Sequence, residues 1–370
     1  MKKVLIIDVH DASLYGFRKE FIIELIKENI QVHFSVPYGP KVEYFKKLGA
    51  IYHPIKLNRR GKNPFAELRL IFSYRKLIKQ VKPDLIVTRA IKPNIYAGNL
   101  ARMMHIPYVT LVTGLGSGLN EKGISTKTIK MLYRRALKKS ACVFFQNEGD
   151  QSYFKKVLDK NNVKYVLTKG SGVNLDEYRA NMFEREEKDR GDKTNFLYIA
   201  RIQKEKGIEE YLEAAQYFVE KSDDCVFNIL GPFEDAKYME IIENLSNEGI
   251  VQYLGVSEDT RTEMLKTDCI VMPTSYHEGM CNVILEGAAM GLPVIASDIY
   301  GCREAIEDKQ TGFLCQPRSA ESLIRAIEKF LALSVSNRSR MGMLGREKMV
   351  DEFDREKVVK QYMDAVHELI

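Results

Sequence analysis

The densest chemistry in the chain lies in Pro273-Thr-Ser-Tyr-His-Glu278-Gly279-Met280-Cys281-Asn282-Val283-Ile-Leu-Glu286-Gly-Ala-Ala-Met-Gly291-Leu-Pro293-Val-Ile-Ala-Ser. The pattern reads as a strand end, a loop holding Glu278 and Gly279, a helix over residues 281–290, and a Gly-Leu-Pro turn into another strand. On one helix, carboxylates eight residues apart would sit about 80° from each other and share no face. With Glu278 on the loop and Glu286 a turn inside the helix, both can border one pocket. The amides at the helix start, near Cys281, Asn282 and Val283, then offer donors and a positive dipole end to a phosphate. Carboxylates accept hydrogen bonds from sugar and ribose hydroxyls.

A complementary cationic group stands at Ala200-Arg201-Ile-Gln-Lys-Glu-Lys206-Gly207, directly after an expected strand. Arginine grips phosphate through two donors at once, and lysine adds a point charge. Together they can neutralise charge developing on a departing diphosphate. No D-x-D occurs in the chain, which disfavours a metal-clamped diphosphate, so neither metal nor cofactor is expected.

The elements that must hold these groups follow a repeating plan. Short apolar runs alternate with amphipathic stretches, the mark of parallel strands covered by helices. Strands are expected at 4–7, 32–36, 85–88, 108–112, 142–146 and 165–167, and again at 196–199, 226–230, 251–254, 269–272 and 294–296. Between the two series, residues 184–193 contain no apolar side chain and read as a linker or exposed loop. Each series is a doubly wound sheet whose ligands bind beyond the carboxyl ends of its strands, and two such sheets facing each other would enclose a cleft. The expected domains are residues 1–173 and 174–354, with a last helix at 355–370 returning to the first domain.

At 370 residues, two cores are the default. No apolar run reaches the roughly 18 residues needed to cross a bilayer. The six cysteines are scattered without a C-x-x-C pair, which disfavours zinc clusters and disulfide frameworks and suits a reducing cytoplasm. The net charge of +6 hides an asymmetry: residues 1–180 carry 33 basic and 14 acidic side chains, leaving 23 basic and 36 acidic for the rest. A basic first half suits a polyphosphate or an anionic surface.

These residues resemble the family 4 retaining glycosyltransferases of the GT-B fold over essentially the whole chain. The matching positions are Arg201, Lys206, the E-x7-E pair Glu278 and Glu286, and Gly291-Leu-Pro-Val-Ile-Ala-Ser. The resemblance implies an α/β architecture of two Rossmann-like doubly wound parallel-sheet domains facing across a cleft. It implies that Arg201 and Lys206 bind the diphosphate of a UDP-sugar donor, and that Glu278 contacts the sugar and acts with them in catalysis. Glu286 would hold the ribose, Gly255 and Val256 would contact the base, and Gly279, Met280, Cys281, Asn282 and Val283 would complete the donor site.

The first half looks like the members that build lipid-linked oligosaccharides and capsules. The cues are Ala12-Ser13-Leu-Tyr-Gly-Phe-Arg18, Arg89-Ala-Ile-Lys92-Pro-Asn94 and Thr113-Gly114-Leu-Gly116-Ser. On the acceptor side the candidates are therefore His10, Asp11, Ser13, Arg18, Arg89, Lys92, Thr113, Gly114 and Gly116. Arg18, Arg89 and Lys92 are candidates for an acceptor diphosphate; Asp11 reads as a possible base or as a helix N-terminal carboxylate. Asp11-Ala-Ser and Thr113 stand where many family members carry a Gly-rich turn and a histidine, so no catalytic histidine is assigned. The stretch Lys127–Lys139 alternates cations with apolar residues at helical spacing. It reads either as a helix lying on anionic headgroups or as a buried helix with a solvated face.

The implied reaction moves a hexose or N-acetylhexosamine to a polyprenyl-diphosphate-linked saccharide. The expected location is cytoplasmic, peripheral on the inner face of the plasma membrane. The alternatives are a GT-B nucleotide-sugar epimerase or a transferase to a soluble acceptor. A nicotinamide oxidoreductase is disfavoured because no G-x-G-x-x-G follows either leading strand. A nucleic-acid binder is disfavoured because no recognised module or aromatic-basic platform accompanies the basic half.

Overall fold

The computed structural model describes residues 1–58, 61, 63–114, 124–157, 163–179, 193–222 and 224–370. Gly116 and all of the expected linker except Lys193 lie outside the described residues. Contacts divide the chain into two compact units. The first comprises Met1–Gly172, Glu278–Met280 and Glu356–Ile370, and the second Val173–His277 and Cys281–Arg355.

In chain order the first unit runs β1 (Lys3–Ile7), α1 (Asp11–Lys27), β2 (Gln31–Val36), α2 (Val42–Lys47), β3 (Ile51–Pro54), α3 (Pro64–Val81), β4 (Leu85–Arg89) and α4 (Ile91–Met103). It continues through β5 (Tyr108–Val112), α5 (Ile124–Leu137), β6 (Cys142–Phe145), α6 (Glu148–Val157) and β7 (Tyr165–Leu167). Its seven strands pair in parallel in the order β3-β2-β1-β4-β5-β6-β7. Alternate residues point to opposite faces of a strand, so each central strand feeds two cores. Val4, Ile6, Leu85 and Val87 pack with α1 residues Phe21 and Ile22 on one side. On the other, Leu5, Ile7 and Ile86 meet Tyr74, Leu77 and Ile78 of α3.

The second unit contains β8 (Thr194–Ile199), α7 (Ile208–Lys221), β9 (Cys225–Leu230), α8 (Lys237–Asn247), β10 (Gln252–Tyr253), α9 (Arg261–Met264) and β11 (Cys269–Met272). It is completed by α10 (Asn282–Ala289), β12 (Val294–Ser297), β13 (Gly312–Cys315), α11 (Ala320–Leu331) and α12 (Val335–Glu352). Its six strands are parallel in the order β10-β9-β8-β11-β12-β13. Phe196, Tyr198, Phe227 and Ile229 pack with Tyr211 and Phe218 of α7 and with Leu323, Ile327 and Phe330 of α11. A final helix, α13 (Arg355–His367), lays Val358, Val359, Tyr362, Met363 and Val366 into the core of the first sheet. Tyr362 packs edge-on against Phe21 and Phe144.

Both sheets are doubly wound and parallel, and all six cysteines are buried and unbridged. Two strands escape the sequence pattern. β3 is an edge strand ending in Pro54, half exposed, and so lacks a continuous apolar run. β13 begins at Gly312, where a Cβ would stand 2.0 Å from the Val294 carbonyl oxygen. Only glycine allows that close approach, and glycine weakens a strand signal. The strand expected at 251–254 is confined to Gln252–Tyr253, paired on one side only.

Candidate active site

In the second sheet the strand order reverses between β8 and β11, so the loops leaving these two strands diverge and open a crevice at their carboxyl ends. Residues 200–207 form the first loop and 273–281 the second, which places both motif segments at one topological position. The loops are stitched together. Glu205 carbonyl oxygen accepts from the Ser275 amide at 2.8 Å and the Thr274 hydroxyl at 3.2 Å. Gly207 holds φ +80°, and a Cβ there would lie 2.1 Å from the Pro273 carbonyl oxygen. The short 3-10 turn Lys204–Lys206 is thereby pressed against the β11 loop.

Lys206 is 6% exposed, with its ammonium 5.3 Å from the centre of the Tyr276 ring, a cation–π distance. Arg201 reaches Glu234 at 3.0 Å, both side chains about a third exposed. Such a screened pair is weak and exchangeable. Beyond β9 and β10, Gly231 amide donates to Gly255 carbonyl oxygen at 2.8 Å, and Gly255 holds φ +81°. Val256 beside it is 66% exposed, an apolar surface at the rim of the same sheet edge.

Cys281 caps α10 without a side-chain hydrogen bond to any amide. Glu286 lies in the middle of α10 and is half-buried by accessible surface. Burial pushes its carboxyl up to about 7, against the opposing pull of Arg355 and a hydrogen bond from Tyr178, with Glu177 reinforcing the rise. Burial also raises the Tyr178 phenol, so it stays a hydrogen-bond donor. Glu286 is thus poised to change charge close to neutrality, where hydroxyl donors would favour its ionised form.

Glu278, Gly279 and Met280 belong by their contacts to the first unit. Asn147 is 1% exposed and donates from its amide nitrogen to the carbonyl oxygens of Glu278 at 3.1 Å and Gly279 at 2.7 Å. A Cβ on Gly279 would meet Gln146 Oε1 at 2.3 Å, and one on Gly170 would meet Met280 Cγ at 2.6 Å. Glu278 therefore rides on a backbone segment fixed from both sides, while His277 next to it is exposed.

The first sheet has its own reversal, between β1 and β4. His10 caps α1, its Nδ1 accepting from the Ala12 amide at 3.2 Å. Asp11 follows in the first turn and accepts from the Lys41 amide at 2.9 Å, buried under Gly39. That is the structural alternative the sequence left open for it. Ser13 hydroxyl and Asp8 Oδ1 both accept from Arg89 Nη1 at 2.8 Å. Lys92 donates to the Asn58 and Gly61 carbonyl oxygens at 2.7 and 2.8 Å and pairs with Glu67 at 2.5 Å. An ammonium has three donors, so an acceptor diphosphate would have to displace one of these partners. Arg18 is 2% exposed, its guanidinium 5.1 Å from the Tyr362 ring under α13. Thr113 and Gly114 follow β5, Gly114 at φ +110°.

Of the two readings of Lys127–Lys139, the packing of α5 matches the buried helix with a solvated face. Tyr133, Ala136 and Leu137 of α5 are buried, and Tyr133 and Leu137 pack with Val112, Val143, Phe145 and Phe154. Ile129 and Leu132 are partly buried against the same cluster, and Met131 is the one large apolar side chain exposed among the described residues of α5. Its exposed face carries Lys127, Arg134, Arg135, Lys138 and Lys139.

Four contributing residues were not singled out from sequence. Asp8, fully buried, could have been found as the polar residue ending the first apolar run. Asn147 likewise follows a strand. Tyr178 and Arg355 gave no local signal, because their relation to Glu286 exists only after folding.

Two family models match the chain: Glycosyl transferase 4-like over residues 3–147 and Glycosyl transferases group 1 over residues 180–348. The fold and site thus define a GT-B glycosyltransferase, and the chain belongs to this family of glycosyltransferases. Among curated relatives it is 29% identical to the N,N'-diacetylbacillosaminyl-diphospho-undecaprenol alpha-1,3-N-acetylgalactosaminyltransferase of Campylobacter jejuni, over 86% of this chain and 87% of that one. It is 26% identical to the UDP-Gal:alpha-D-GlcNAc-diphosphoundecaprenol alpha-1,3-galactosyltransferase of Escherichia coli, over 82% and 80%. Among solved structures, sucrose-phosphate synthase from Thermosynechococcus elongatus superposes with a TM-score of 0.81 at 19% identity, covering 100% and 99% of the two chains. Anabaena HepE in complex with UDP gives 0.81 at 14% identity, covering 100% of each.

Proposed function

We propose that this glycosyltransferase moves a hexose or N-acetylhexosamine from a UDP-sugar to a polyprenyl-diphosphate-linked saccharide, with retention of configuration and without a metal, at the inner face of the plasma membrane. The observation that supports the donor half is the stitched pair of loops at the β8/β11 reversal: the loop carrying Arg201 and Lys206 is hydrogen-bonded to the loop that leads into α10 and Glu286. Arg201 exchanges its Glu234 partner for the diphosphate, and Lys206, held by its turn, neutralises the leaving group. Amides at the start of α10 add donors. Glu286 accepts from the ribose hydroxyls, and Glu278 from the donor sugar. The acceptor hydroxyl attacks on the face the diphosphate leaves, and a donor phosphate oxygen takes its proton. The chain supplies position and electrostatics. The lipid-linked acceptor rests on the two curated relatives, whose names specify diphospho-undecaprenol substrates.

The test is transfer from a panel of nucleotide sugars to a synthetic polyprenyl-diphosphate monosaccharide, with the product resolved by mass spectrometry and its anomeric configuration by NMR. Product with an axial linkage from an axial donor is expected. Conversion of a UDP-sugar without any acceptor would instead make the chain an epimerase, and inverted product would reject the proposed mechanism.

A further inference from the structure

Helix α3 has two opposed faces. Leu70, Tyr74, Leu77, Ile78 and Val81 are buried in the core of the first sheet. The opposite face exposes Phe65, Leu68 and Phe72, at 82%, 53% and 63%. Arg69, Arg75, Lys76 and Lys79 are also exposed. At 100° per residue all seven fall within an arc of about 120°. The helix contains a single acid, Glu67, and it is turned away, bonded to Lys92 and to the Tyr96 hydroxyl. Phe65 and Leu68 come first, Arg69 and Phe72 follow, and Arg75, Lys76 and Lys79 close the row. The start is fixed: Asn63 accepts from the Phe65 and Ala66 amides, and Pro64 opens the helix. The aromatic side chains are therefore held outward on a rigid element.

We propose that α3 docks this protein on an anionic phospholipid bilayer. Phe65, Leu68 and Phe72 enter the boundary between headgroups and acyl chains, and the four cations pair with lipid phosphates. Charge decides the occupant: an acid-free row of cations beside apolar side chains complements a negative surface. A second copy would set the same four cations against their equivalents across a two-fold contact. Helix α5 is the weaker candidate, because most of its apolar residues pack in the domain core and Met131 alone of its described large apolar side chains is exposed. The inference rests on the membrane location proposed above and names the surface that would provide it; its test is separate from the reaction, since it requires binding to vesicles lacking donor and acceptor.

The chain has no tryptophan, so Phe72→Trp creates a single reporter; Met239→Trp, at a 53% exposed position of the second unit, is the control. Vesicles of phosphatidylcholine rich in phosphatidylglycerol should shift the Phe72→Trp emission to the blue and leave Met239→Trp unchanged. In sedimentation, the combined Phe65→Ser, Leu68→Ser and Phe72→Ser variant should bind these vesicles roughly thirtyfold more weakly. Replacing the four α3 cations with glutamine should cost about fivefold per charge at low salt and remove the preference for phosphatidylglycerol. Replacing Arg134, Arg135, Lys138 and Lys139 with glutamine should cost much less. An unshifted Phe72→Trp spectrum would overturn the proposal. So would wild-type binding by the serine variant, or a wild-type dimer that the serine variant dissolves in the absence of vesicle binding. Coincident thermal melts of wild type and variants exclude unfolding as the cause of a loss.

Discussion

The two sheets reverse strand order at equivalent places, yet they spend their charges differently. At β1/β4, Asp8 is buried against Arg89 with side chains 1% and 14% exposed, and Ser13 shares the same guanidinium. At β8/β11, Arg201 holds Glu234 through a pair about a third exposed on each side, and Glu286 is poised near 7. The first crevice has its charges fixed to one another, which makes it rigid. The second keeps one cation, Arg201, in a screened pair that can trade partners, and an acid that can change charge. A shared topology offers the same location twice, and side-chain pairing makes the two copies differ in how freely their charges can exchange partners.

Single substitutions and one pH profile put this contrast to the test. The largest effect is expected on turnover: Lys206→Ala and Glu278→Gln should each lower it by about two to three orders of magnitude with an unchanged melting temperature. Near wild-type kcat with purified substrates would remove these residues from the reaction. In the first crevice the loss should appear as stability. Arg89→Ala leaves the Asp8 carboxylate buried without its cation and should cost about 3 kcal/mol in urea unfolding. Indifference to the change would show that the pair is not a structural element.

A smaller effect concerns pH. The raised Glu286 pKa means that its protonated form suits the folded chain, so its contribution to stability is full below the ordinary glutamate range and is lost as pH rises through about 7. Donor binding that needs the ionised form runs the other way. The Kd for a UDP-sugar should tighten about tenfold between pH 6 and 8, and Glu286→Gln should flatten the profile. Isothermal titration across that range decides it, and a flat wild-type profile would detach Glu286 from the ribose. Smallest of all, Arg201→Ala should change stability by less than about 1 kcal/mol, because its pair with Glu234 is screened. A loss matching that of Arg89→Ala would erase the distinction between the two crevices.

Much of this was legible in the chain itself. Apolar runs such as Val4-Leu5-Ile6-Ile7 and Cys269-Ile270-Val271-Met272 are buried on both faces of parallel sheets, and they announce themselves without any partner. The Glu278 loop and the α10 start follow from local order, since Gly279 and the Gly-Leu-Pro turn bracket a short helix. Short-range pattern therefore determined the doubly wound class and the placing of Arg201, Lys206, Glu278 and Glu286 on loops and a helix after strands. The tertiary structure decided everything that depends on distant pairing. It tied Arg89 to Asp8 and Lys92 to Glu67, buried most of the apolar face of α5, and exposed that of α3. It also raised Glu286 by burying it, with Glu177 adding to the rise and Arg355 and Tyr178 opposing it. Spacing along a chain cannot report those outcomes, because burial and electrostatic environment arise only when residues a hundred positions apart share one volume.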